Sequence, residues 1–294
     1  MTSRTENAMN LPPLISVAEL ARQLAGPQSD MLVCDCRFEL AKPQAGRQSY
    51  EHGHIPGAHY MDLNTDLSDL GAPDQGRHPL PDRETFARTM RGIGANDSTL
   101  IVAYDAGDGM FAARLWWLLR WIGHGKVQVL DGGLQAWRAG GHGTSANPPP
   151  ARPQGRLQAK PPLTTVVSHE QVLENIGSKA RLVIDARSPD RYRGENETID
   201  PVGGHIPGAH NRHFKDNLTA DGLFKEPKQL VAEFSALMQG RAADEVVSQC
   251  GSGVTACHNL LAMEVAGIAG AALYPGSWSQ WCRKPGMPVA TGTD

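Results

Sequence analysis

No stretch of this chain is built to cross a membrane. A bilayer core needs about 20 consecutive apolar residues, and the strongest run, LWWLLRWIG at 115–123, is short and broken by Arg120. Cysteine is sparse: five residues, at 34, 36, 250, 257 and 282, in a chain of 294. An odd, thin set of that kind argues against a disulfide framework and for a reducing compartment, taken here as the cytoplasm. Nor does it make a zinc site, because Cys34-Asp35-Cys36 is too tight for the usual pairing and no second pair completes it. Excess charge of one sign is also missing. A net charge of −3 gives no reason to expect nucleic acid or another polyanion as a partner. The opening MTSRTENAMNLPP has no apolar h-region and carries Glu6, so neither export by a signal peptide nor a basic transit peptide is expected. The 40% apolar and 20% charged content is that of an ordinary globular protein.

Internal repetition is the most informative feature. LVCDCR at 32–37 returns as LVIDAR at 182–187, an offset of 182 − 32 = 150. GHIPGAH at 53–59 returns unchanged at 204–210, an offset of 151, and DGGLQAW at 131–137 is echoed by PGSWSQW at 275–281, an offset of 144. Landmarks in the same order at similar spacing mean a duplicated domain, with a deletion between the last two in the second copy. Between the copies lies HGTSANPPPARPQGRLQAKPPL, whose prolines and small polar residues suit an extended linker. The expected layout is a domain over 12–143, a linker over 144–162 and a second domain over 163–294.

Each half alternates strand and helix patterns. Ser16 with Glu19 and Ser168 with Gln171 read as matched capping boxes that open amphipathic helices. Short apolar runs follow, MLVCDC and RLVIDA, and later TLIVAYD and EVVSQC, as expected of buried parallel strands. The expected fold is α/β, two tandem domains, each a mainly parallel sheet flanked by helices. Ile-Pro-Gly in each GHIPGAH suits a type II turn, and its occurrence in both halves makes its histidines structural rather than metal ligands.

Aligning the later strands sets VAYDAGDGMFAAR opposite VSQCGSGVTACHN, with Asp105 in the place of Cys250. Ligand sites in open α/β sheets lie at the carboxyl ends of strands. A loop entering a helix there can aim backbone N–H groups at one point and stabilise a thiolate. Cys250 is therefore the expected nucleophile, with Gly251 and Gly253 letting the backbone curl round the sulfur. Cys257, on the following helix, and Cys34 and Cys36, in a strand, are expected to pack in the core. The same holds for RLWWLLRW at 114–121, read as a buried helix with arginines at its edges, while Trp278 and Trp281 could wall the pocket or pack.

These features together resemble the tandem-domain rhodanese superfamily: GHIPGAH twice, the CGSGVTAC loop in the second half and PGSW near the end. The loop is similar to that of the mercaptopyruvate sulfurtransferase branch. The resemblance implies a degenerate first domain and a second domain whose thiolate takes a sulfane sulfur as a persulfide. That sulfur is then passed to thioredoxin, a small thiol or cyanide, and no metal or organic cofactor is implied. It further implies that Gly251, Gly253, Val254 and Thr255 surround the sulfur and that Arg187 and Arg193 bind the donor. A relay of Ser252, His78 and an acid is implied too, although the best-matching acid position is Asn64, with Asp62 or Asp66 as possible substitutes. An ion pair with Asp185 is the competing role for Arg187. The rhodanese branch places basic side chains directly after its cysteine, whereas Gly251 and Ser252 are uncharged, which favours 3-mercaptopyruvate over thiosulfate as donor. Two other readings compete: a cysteine phosphatase, disfavoured because position 256, where that chemistry needs Arg, is Ala, and a sulfur-relay module without turnover.

Overall fold

The apolar runs become two five-stranded sheets in a computed structural model that describes residues 11–26 and 30–293. The expectation about the first thirteen residues therefore lies almost wholly outside the described chain. In the first half, β1 (Leu14–Ile15), β2 (Met31–Asp35), β3 (His59–Tyr60), β4 (Leu100–Tyr104) and β5 (Val127–Leu130) stand in the order β1-β5-β4-β2-β3. In the second, β6 (Thr165–Val166), β7 (Leu182–Asp185), β8 (Ala209–Asn211), β9 (Val246–Gln249) and β10 (Ala272–Leu273) stand as β6-β10-β9-β7-β8. The second order is the first shifted by five, and every pairing is parallel. Parallel neighbours require crossover connections, which place helices on the sheet faces and explain why the central strands are buried along almost their whole length.

The helices are α1 (Val17–Ala25), α2 (Pro43–His52), α3 (Arg83–Gly92), α4 (Ala112–Trp121) and α5 (Gly133–Ala139) in the first half. The second half has α6 (His169–Ser178), α7 (Pro189–Arg193), α8 (Pro227–Met238), α9 (Thr255–Val265) and α10 (Ser277–Trp281). Only one of the two expected capping boxes is complete. Ser168 and Gln171 bond reciprocally, at 2.8 and 3.3 Å. In α1 the Ser16 hydroxyl accepts from Glu19 N at 3.2 Å, but the Glu19 carboxylate turns to Arg22 and Gln23, where a charge-assisted pair wins over the backbone N–H. No helix among the described residues is long and apolar enough to cross a membrane.

The repeated GHIPGAH serves the fold in both copies. His54 stacks on Tyr50 with ring centroids 3.9 Å apart, His205 on Tyr192 at 3.8 Å, and each ring's Nδ1 meets the carbonyl of the tyrosine it stacks on. Helices α4 and α9 pack against one another, so that one apolar cluster holds Trp116, Trp117 and Leu118 from the first half with Leu260, Leu261 and Met263 from the second. The linker is extended but tied to the first domain: Gly155 N donates to Arg91 O, Leu157 N to Ala95 O and Lys160 N to Ile122 O.

Candidate active site

Asp105 and Cys250 each stand one residue beyond a central strand, β4 and β9. The connection to the next helix then differs: six residues, 106–111, before α4, and four, 251–254, before α9. That difference of two is part of the drop in repeat offset from 151 to 144. In the first half the loop wraps its own carboxylate. Asp105 accepts the backbone N–H groups of Gly107, Gly109, Phe111 and Ala112 at 2.9–3.2 Å. Burial and the neighbouring Asp108 nonetheless push its acidity below that of an ordinary aspartate. In the second half the thiol takes the carboxylate's place, and Ser252 N reaches Cys250 Sγ at 3.5 Å.

The two loops are held in the same way. Leu134 N donates to Asp105 O and Gln135 N to Ala106 O; Trp278 N donates to Cys250 O and Ser279 N to Gly251 O, all at 2.9–3.0 Å. The residues that open these braces have matching left-handed backbones, Gly133 at φ +54° and Ser277 at φ +53°. Serine tolerates the conformation here because its Oγ donates to Tyr274 O and accepts from Cys250 N, at 2.9 and 3.1 Å. Trp278 and Trp281 are fully buried, with their indole N–H groups on Val202 O and Pro288 O, so both belong to the core.

A further part of the site comes from the first half. Gly76, Arg77 and His78 form a strap across the second-half loop. Gly76 has φ +107°, and a Cβ there would lie 2.7 Å from Gly276 O, so only glycine lets the strap lie this close. Arg77 N donates to Ser279 Oγ at 2.9 Å. His78 Nδ1 lies 2.8 Å from Ser252 Oγ. No carboxylate among the described residues hydrogen-bonds the His78 ring. Asp62 instead accepts the backbone N–H of Asn64 and Thr65, and Asp66 accepts that of Asp62. Burial first, and then the Arg114 and Arg77 guanidiniums, push His78 down to about 3, so its imidazole is neutral at pH 7.

Arg114 is fully buried in the first turn of α4. It donates to Gly253 O at 3.0 Å and to Leu67 O, His78 O and Pro79 O at 3.1–3.4 Å. Read in sequence as an edge residue of an apolar helix, it is the pin between strap and cysteine loop. Nothing in RLWWLLRW distinguishes it from Arg120, which pairs with Glu264 at 2.9 Å.

A cavity of about 180 Å³ opens over Cys250, lined by Gly251, Ser252, Val254 and Thr255 together with Leu63, Arg77, His78, Met110, Phe111, Arg187, Arg191, His213 and Phe214. Gly253 sits behind the loop at φ +75° against Pro275 O. Of the two arginines expected to bind a donor, Arg187 lines the cavity but has its fork filled. Nε and Nη2 lie on Asp185 at 2.6–3.1 Å, and Nη2 also reaches Gly204 O at 2.7 Å. Arg37 makes the same contacts with Asp35 and Gly53 O in the half whose loop carries Asp105 in place of a thiol, so the arrangement belongs to the repeat. Arg193 is outside the cavity, paired with Glu195 at 2.7 Å on the surface. In its place stand Arg191, two residues earlier in α7, and Arg77, neither of which sequence reasoning singled out. Arg77 was legible only as the neighbour of His78. Cys34, Cys36 and Cys257 are buried, and burial pushes each thiol up, in keeping with packing.

Comparison with known proteins agrees with this geometry. The rhodanese-like domain family matches the chain twice, at residues 16–140 and 168–284. The chain is 46% identical over 289 residues to a probable 3-mercaptopyruvate sulfurtransferase of Pseudomonas aeruginosa, covering 97% of this chain and 100% of that protein. It is 36% identical to human 3-mercaptopyruvate sulfurtransferase, covering 91% of each, and 34% identical to mouse thiosulfate sulfurtransferase, covering 92% of each. Among solved structures, a 3-mercaptopyruvate sulfurtransferase from Leishmania major superposes with a TM-score of 0.82 at 28% identity, over 94% of this chain and 76% of that one.

Proposed function

The chain belongs to the rhodanese-like domain family and is a sulfurtransferase, and from that premise we propose that it moves sulfur from 3-mercaptopyruvate through a persulfide on Cys250. The observation that carries this reading is the 2.8 Å contact of His78 with Ser252, on the loop whose N–H reaches the Cys250 sulfur. The Cys250 thiolate attacks the donor sulfur, the donor's C–S bond breaks, and its electron pair leaves on carbon as the enolate of pyruvate. The Ser252 hydroxyl and the neutral His78 ring carry the proton from the donor's thiol to that carbon. The outer sulfur stays on Cys250 until an acceptor attacks it and the S–S bond breaks, restoring the cysteine thiolate: thioredoxin or a small thiol leaves as a persulfide, and cyanide leaves as thiocyanate. Arg191 and Arg77 hold the donor's carboxylate, and Arg187 lines the same cavity with its charge balanced by Asp185 and by Glu197, which lies 3.5 Å from its Nη1. Five free cysteines accord with a cytoplasmic setting. The halves divide as 12–143, which orients, and 163–294, which reacts, joined by 144–162.

A second reading, thiosulfate as donor through the same cysteine, draws support from the two guanidiniums beside Gly251. Mixing protein with mercaptopyruvate should release pyruvate and leave Cys250 heavier by one sulfur, about 32 Da. Pyruvate release that persists in Cys250→Ser defeats the proposal, and kcat/KM for the two donors decides between them.

A further inference from the structure

The residue after the nucleophile is glycine, yet the space a side chain would take there is occupied. A Cβ built on Gly251 would lie 3.0 Å from Arg77 Nη2 and 3.5 and 3.6 Å from the Nη2 and Nη1 of Arg191. Arg77 belongs to the other domain, and its strap is fixed at both flanks, by Gly76 against Gly276 and by His78 against Ser252. Its Nη1 bonds Asp200 at 2.8 Å, and Asp200, whose side chain has no exposed surface, also receives Arg191 at 3.4 Å and Arg283 at 3.3 Å. Glu197 takes Arg191 at 3.0 Å. Arg187 joins the same cluster through Asp185 at 2.6 Å and Glu197 at 3.5 Å, so four guanidiniums face three carboxylates, which leaves one positive charge in excess. The buried Nε of Arg77 has no hydrogen-bond partner.

We propose that Arg77 is a specificity-determining residue that supplies, across the domain interface, the cation of an anion subsite above Gly251, where it receives the negatively charged end of the sulfur donor. The absence of basic residues from the loop therefore does not mean a site without cations, and Gly251 is small because a guanidinium from the first domain stands where its side chain would be. Asp200 acts as a positioning residue, holding Arg77 and Arg191 side by side. The subsite rests on the reading of Cys250 as nucleophile, and it takes the carboxylate of mercaptopyruvate or the charged oxygens of thiosulfate by the same contact.

The test compares alkylation of Cys250 by iodoacetate, an anion, with iodoacetamide, its neutral counterpart, mapped to the Cys250 peptide by mass. In each case the thiolate displaces iodide, so the ratio of rates reports charge beside the sulfur independently of turnover. Arg77→Gln should lower the iodoacetate-to-iodoacetamide ratio about tenfold, and Arg77→Lys should hold it within about twofold of the unaltered protein. Asp200 keeps Arg191 and Arg283 in the Gln variant, so no buried carboxylate is orphaned. Should that variant fail to fold, Gly251→Glu leaves Arg77 in place and sets a carboxylate against it, with the same expected fall. In steady state Arg77→Gln should raise KM for anionic donors more than it lowers kcat. A ratio unchanged in the variants overturns the proposal. Turnover that survives in Cys250→Ser would instead overturn the nucleophile assignment, and it would leave the alkylation ratio as found.

Discussion

His78 Nδ1 stands 2.8 Å from Ser252 Oγ, although 174 residues separate them. The backbone of the same histidine is held by Arg114, which bonds His78 O at 3.1 Å and Gly253 O at 3.0 Å. One buried guanidinium thus sets the distance between relay and cysteine loop, which gives the first half a reason to persist without a nucleophile.

Ser252→Ala and His78→Gln should each slow pyruvate release in a single turnover by about 10²-fold, with the double variant little worse than either. Stopped-flow assay with mercaptopyruvate measures this. Additive losses would mean that the two side chains act separately.

Arg187→Ala should destabilise the fold by about 3–5 kcal/mol, because it leaves the Asp185 carboxylate buried without its partner. The internal control is Arg37→Ala, which removes the corresponding pair with Asp35 outside the cavity over Cys250. Urea unfolding should give comparable losses for both. A loss confined to KM in Arg187→Ala would return that residue to the donor site.

Asp105→Ala should empty a cradle of four backbone N–H groups and cost upward of about 3 kcal/mol. An anion of suitable size restores the missing acceptor, so sulfate should raise the melting temperature of this variant more than that of the unaltered chain. Equal shifts would show that the N–H groups find other partners.

Acid should weaken the fold through two buried histidines. His258 accepts from Asn217 Nδ2 on Nδ1 and so donates from Nε2 to Asp108 O across the domain interface. Burial pushes His258 and His78 down to about 3 from an ordinary value of 6.5. Between those values the unfolded chain binds more protons than the folded one. Each ring's contribution is fully present above pH 6.5 and is lost as pH falls towards 3, with a slope of at most about 1.4 kcal/mol per pH unit for each. Denaturant midpoints from pH 7 to 4 test this. His258→Gln should flatten the slope, and an unchanged slope would assign the acid sensitivity to other groups.

Much of this was legible in the chain because it is local or periodic. Strand runs, linker composition and the two GHIPGAH turns depend on neighbours a few residues apart, and the duplication supplied a control that marked Cys250 against Asp105. Ser252 and His78 were also reached, through family resemblance. The pairing of the cations was not legible. Arg187 and Arg193 carry the right chemistry at plausible positions, but one is spent on Asp185 and the other on Glu195.

Sequence by itself determined a doubled α/β fold, a single thiol at the sensitive strand end and an uncharged loop after it. Those follow from hydrophobic period, glycine and residue identity, which the chain carries position by position. Tertiary structure alone decided which charges face the sulfur. An arginine's availability depends on which carboxylate lies within about 4 Å of it, and Arg77 finds its partner Asp200 in a segment 123 residues away. Arg77 reaches the space above Gly251 only because two domains are docked.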